Sequence, residues 1–78
     1  MQNYDAMGIF AHNVSRILAA QGINQSELAR RLEMERTHLS RALRGENSPR
    51  LRFVERVAEQ LSVDIRELFE PISEKVHA

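Results

Sequence analysis

Asn24 to Gly45 constrains this chain more than any other stretch, because it has room for two helices of about two turns each around a tight turn, and for nothing longer. Asn24 is an N-capping residue and Glu27 stands three positions on. This is the spacing of a capping box, in which each side chain satisfies the other's free backbone N–H. Leu28, Ala29 and Leu32 give the first helix an inward edge before Glu33-Met34-Glu35 interrupts it. A second helix is expected from Arg36 to Leu43, with Leu39, Ala42 and Leu43 on one side and Arg36, Thr37, Ser40, Arg41 and Arg44 fanned over the other. Met34 and Leu39 have the spacing of a hydrophobic staple. One face of the second helix is thereby anchored while the other carries guanidiniums.

A guanidinium presents paired donors that suit the N7 and O6 edge of guanine or a phosphate, and a single helix fits the major groove. The plainer reading of the same pattern is a solvated helix face. Order and spacing favour the first. Asn24-Gln25-Ser26-Glu27-Leu28-Ala29, Leu32, Thr37-His38-Leu39-Ser40-Arg41, Leu43-Arg44-Gly45 and Ser48-Pro49 together resemble the helix-turn-helix of the Xre/Cro family of phage-type and bacterial repressors. The likeness continues through Leu51, Val54, Val57, Ala58, Leu61, Val63 and Leu68, so it spans roughly residues 12 to 70. It implies an all-α, compact five-helix lambda-repressor-like domain that binds double-stranded DNA, with the helix-turn-helix at 24–45. The chain departs from the family at the turn, where Glu33 replaces the usual glycine. Glu33 must find another turn geometry or accept a left-handed conformation at a cost of about 1 to 2 kcal/mol.

Seventy-eight residues make one domain, 1–78, and no run of 18 apolar residues suggests a membrane span. No charged-then-apolar leader is visible, and without cysteine there is neither a disulfide framework nor a thiolate metal site, so a cytoplasmic protein is expected. A core of this size seldom supplies more than about 3 to 5 kcal/mol, so a partner subunit would help. The formal net charge is zero, yet the charge is divided. Arg30 to Arg52 holds seven arginines against three glutamates, and Phe53 to Ala78 holds six acids against three bases. Such a split orients the basic middle toward a polyanion and the acidic end away from it.

Asp5 is expected to cap a first helix on which Met7, Phe10, Val14, Ile17 and Leu18 form the buried stripe. Gly22 should end it in a left-handed residue, with Ile23 folding back as in a Schellman cap. His12 beside the stripe reads as structural or surface. Gly45 should end the arginine-bearing helix, after which Ser48 caps a fourth helix, Pro49 takes its first position, and Leu51, Val54, Val57, Ala58 and Leu61 form its buried side. Phe53 lies off that stripe, covering the edge of the core or meeting another subunit. Asp64 is expected to cap a last helical segment with Ile65, Leu68, Phe69 and Ile72 at one-turn spacing, ended or bent by Pro71. Leu68 should face inward, and Ile65, Phe69 and Ile72 form a dimerisation segment over 64–73. Residues 73 to 78 are expected to fray.

No catalytic constellation is visible. His12, His38 and His77 have no metal-ligand spacing, there is no glycine-rich phosphate loop, and no serine stands in a nucleophile elbow. Neither an enzyme, a cofactor, a metal nor a small-molecule ligand is expected. The resemblance instead assigns base reading to Arg36, Thr37, Ser40 and Arg41 and backbone contact to Gln25, His38, Arg44, Asn47 and Arg50. It points to a homodimeric transcriptional regulator on a pseudo-palindromic operator, its half-sites about 34 Å apart. Restriction-modification controllers share the size and an Arg-Thr-aromatic-Leu-Ser run that Arg36 to Ser40 approximates. An antitoxin-type regulator bound to a toxin, or an interaction module whose arginine face meets an acidic protein, are the alternatives. Glu33 and Glu35 must point away from phosphate or be neutralised by Arg30 or Arg36. If Arg36 is occupied in that way, Arg41 becomes the better reader.

Overall fold

In the computed structural model, which describes residues 6–46 and 50–71, the chain forms α1 (Ala6–Gln21), α2 (Gln25–Leu32), α3 (Arg36–Leu43), α4 (Leu51–Leu61) and a closing 3-10 helix (Ile65–Phe69). Among the described residues there is no strand, as the helical periodicity predicts. The expected stripes converge on one core. Phe10 and Val14 of α1, Leu28 and Leu32 of α2, Leu39 of α3, Val57 and Leu61 of α4 and Leu68 of the 3-10 helix are all essentially inaccessible to solvent. Burying each large apolar side chain is worth about 1.5 to 3 kcal/mol. Phe10 lies at the aromatic centre: Phe53 meets it edge-on with ring centroids 6.1 Å apart, and Phe69 stacks on it at 5.8 Å. Phe53 therefore covers the edge of the core.

Among the described residues all four α-helices end in the same hydrogen-bonded form. Gly22, Glu33, Gly45 and Ser62 are left-handed, at φ of 71°, 59°, 78° and 58°. Each donates its N–H three residues back, and the following N–H reaches five back, as in Ile23 to Leu18, Met34 to Ala29, Glu46 to Arg41 and Val63 to Ala58, at 3.0 to 3.3 Å. This is the Schellman arrangement, which satisfies helix carbonyls that would otherwise lack donors. Ile23, Met34 and Val63 complete it by packing on the core. Glycine supplies only half of these ends. Glu33 and Ser62 accept the left-handed strain of about 1 to 2 kcal/mol that a side chain incurs there.

Long side chains fasten the helix ends to one another. Gln21 donates to the Leu61 carbonyl at 2.7 Å, Arg31 to the Gln60 carbonyl at 3.3 Å, and Arg56 to the Leu32 carbonyl at 2.7 Å. A cation at a helix C-terminus also meets the negative end of the helix dipole. Asn13, buried on α1, sends its amide to the carbonyls of Leu68 (3.2 Å) and Glu70 (2.9 Å), pinning the end of the 3-10 helix.

Two local expectations change and a third is made specific. The fourth helix begins at Leu51 with Arg50 as its extended N-cap, without a side-chain cap bond, whereas the Ser48 and Pro49 start lies outside the described residues. Leu51 is not part of the buried side, being 67% exposed in the first position of the helix, beyond the edge of the core. The expected last helical segment is present and takes the 3-10 form. Its three-residue turn puts Ile65 and Leu68 on one face, Leu68 buried and Ile65 half-buried against the core. Asp64 does cap this segment, accepting from the Arg66 N–H at 2.8 Å. Asp5 lies outside the described residues.

Candidate nucleic-acid interface

The α2–turn–α3 unit is fixed from both ends. Asn24 accepts the Glu27 N–H at 2.9 Å and so caps α2, but the reciprocal half of the capping box is not made. The Glu27 carboxylate turns forward instead, to Arg30 (2.6 Å) and Arg31 (2.9 Å). Two guanidiniums one turn away offer a carboxylate more than one backbone amide does. Hydrogen bonding from Arg30, then from Arg31, lowers the Glu27 pKa from 4.5 to about 2. At the far end Glu33 closes the turn, and Met34, packed on the core just ahead of Leu39, occupies the staple position.

α3 is held by buried Leu39 and Leu43 and turns Arg36, Thr37, His38 and Arg41 to solvent. Thr37, His38 and Arg41, with Glu35 from the turn, line a shallow open notch of about 340 Å³. Among the described residues the Arg36 side chain makes no hydrogen bond or ion pair, so Glu33 and Glu35 do not occupy it. Arg41 lies 4.0 Å from Glu46 and is largely exposed. Ser40 is half-buried, and its hydroxyl accepts from Arg44 at 3.0 Å. Arg44 also pairs with Glu46 at 3.1 Å. Glu46 is thus the exception among the four helix ends, meeting arginines where the other three place an apolar residue on the core.

The remaining expected contacts surround this face unevenly. Gln25, half-buried, opens α2, and Arg50 is exposed at the start of α4. Asn47 lies outside the described residues. Of the expected dimer segment, Ile65 is largely committed to its own core, Phe69 is 40% exposed while stacked on Phe10, and Ile72 lies outside the described residues. Asn13 was missed at the sequence level, although a polar residue directly before Val14, on the buried stripe of α1, is a signal that could have marked it. Among the described residues no helix is long and apolar enough to cross a membrane, and no three acidic, histidine or cysteine side chains could hold a metal ion.

The sequence model of the helix-turn-helix family matches residues 14–68, the span that contains α2, α3 and most of the core beneath them. The crystal structure of a hypothetical transcription factor, NHTF, from Neisseria superposes with a TM-score of 0.79. It is 30% identical, over 86% of this chain and 77% of that one. No curated protein matches the chain.

Proposed function

The chain belongs to the helix-turn-helix family, and on that premise we propose that it is a sequence-specific DNA-binding transcriptional regulator, with α3 entering the major groove. The observation that carries the reading is the division of α3. Leu39 and Leu43 are buried, and the opposite face offers Arg36, whose side chain has no partner among the described residues, beside exposed Thr37 and Arg41. A rigid helix with free paired donors can engage guanine edges without first losing an internal bond. The Neisseria protein's description as a hypothetical transcription factor supports the same class of activity. Gln25 and Arg50 flank α3 as candidate phosphate contacts, which fix register rather than sequence. Selection of duplexes from a random library tests this directly. An enriched sequence supports the regulator, and no enrichment points to a protein-interaction module.

The protein acts, in this reading, as a homodimer whose two α3 helices meet half-sites about 34 Å apart, so the enriched sequence should be an imperfect palindrome. Phe69, exposed for an aromatic residue, is the candidate contact together with Ile65 and Ile72. Phe69→Glu is expected to shift sedimentation from dimer to monomer while helical circular dichroism is kept. An unaltered dimer moves the interface elsewhere.

A further inference from the structure

Glu35 is an unusual residue to find beside a surface that meets DNA. It is exposed at the N-cap of α3, where a short polar side chain would normally accept a helix N–H, yet it makes no side-chain cap bond. Among the described residues it has no ion pair either, although Arg36 follows it directly. Its carboxylate is therefore a free acceptor, and it lines the same notch as Thr37, His38 and Arg41. A free carboxylate there is repelled by phosphate unless it finds a donor. In the major groove the donors are the exocyclic amino groups of the bases, and cytosine N4 is the usual partner of a carboxylate.

We propose that Glu35 is a specificity-determining residue that accepts a hydrogen bond from cytosine N4, while Arg41, lining the same notch, donates to N7 and O6 of the paired guanine. The proposal rests on the DNA-binding reading and deepens it. A G·C pair presents two acceptors and then a donor along its major-groove edge. Arg41 and Glu35, which line one notch, carry the matching donors and acceptor. Glu35 also discriminates by repulsion, since a pair offering it only acceptor oxygens is disfavoured beyond the loss of one hydrogen bond.

Library selection with the full chain, run in parallel on wild type, Glu35→Ala and Glu35→Gln, tests this. Wild type should enrich a motif with a G·C pair fixed at one position of each half-site. Glu35→Ala should relax preference at that position alone by about tenfold. Glu35→Gln should move it toward adenine, whose N6 and N7 match an amide. Thermal unfolding of each variant by circular dichroism verifies that α3 is intact. The proposal is overturned if the Glu35→Ala motif equals the wild-type motif, if all sites tighten uniformly because Glu35 acts only as a charge, or if the affected position holds an A·T pair. Failure of wild type to enrich any motif would instead overturn the DNA-binding reading beneath it.

Discussion

α2 and α3 are both eight-residue helices carrying two arginines, and they use them in opposite ways. In α2, Arg30 and Arg31 share the Glu27 carboxylate, and Arg31 also holds a carbonyl of α4. In α3, Arg36 is free among the described residues and Arg41 is only distantly paired, 4.0 Å from Glu46. Sequence spacing alone would not separate them. Glu27 precedes Arg30 by three residues, and Glu33 precedes Arg36 by three as well. The first pair lies within one helix, where that spacing stacks side chains on one face. The second begins at the left-handed residue itself, Glu33, after α2 has ended, so the chain changes direction and the two side chains do not pair. The turn at Glu33 therefore does more than join two helices: it leaves the arginine of α3 available.

The strongest way to break this contrast is to remove one arginine from each helix. Arg36→Ala is expected to cost about 1 to 3 kcal/mol of binding on the selected site and to relax base preference. Arg30→Ala should leave base preference unchanged. Fluorescence anisotropy titrations against the selected duplex and single-base variants measure both. Equal losses of sequence preference would mean that the internal pairing of α2 has no functional counterpart in α3.

A smaller effect probes the turn itself. Glu33→Gly removes the left-handed strain at φ 59° and should stabilise the fold by about 1 kcal/mol, raising Tm by about 4 to 8 °C. Ser62→Gly, at the corresponding position after α4, should act in the same direction, whereas Gly22→Ala should destabilise. Urea denaturation gives all three. If Glu33→Gly were neutral or destabilising, the turn in solution would not be left-handed, and Glu33 would be free to approach Arg36 after all.

Much of this was readable from local chemistry. The α2 and α3 boundaries, the Gly22 and Ile23 helix end, the Asn24 and Asp64 caps and the buried stripes depend on residues within a turn of one another, where side-chain spacing maps directly onto space. Features requiring tertiary knowledge were not. Asn13 bonds carbonyls 55 and 57 positions away, and Arg56 caps α2 from α4, 24 positions on. Leu51 fits the apolar spacing of α4 but lies where that helix passes the edge of the core, which periodicity does not reveal. At the candidate interface, the composition of the α3 face was legible, whereas the freedom of Arg36 was not, because it depends on where Glu33 and Glu35 go.

The smallest expected effect tests the other side of the contrast, the pairing inside α2. Glu27 is held near pKa 2 by Arg30 and Arg31, against 4.5 for the ordinary carboxyl. A depressed folded-state pKa means that the carboxylate contributes stability that is fully present above about pH 4.5 and lost as pH falls through 2. Arg30 is 72% exposed, so solvent and salt keep the contribution modest. Asp64 also titrates low, held there by Arg66, and both proteins retain it. The difference in urea midpoint between wild type and Glu27→Gln therefore isolates Glu27. It should be constant above about pH 4.5, shrink toward pH 2 and weaken in high salt. A difference that ignores pH would mean that Glu27 is not held by its two guanidiniums in solution, leaving the arginines of α2 as free to meet phosphate as those of α3.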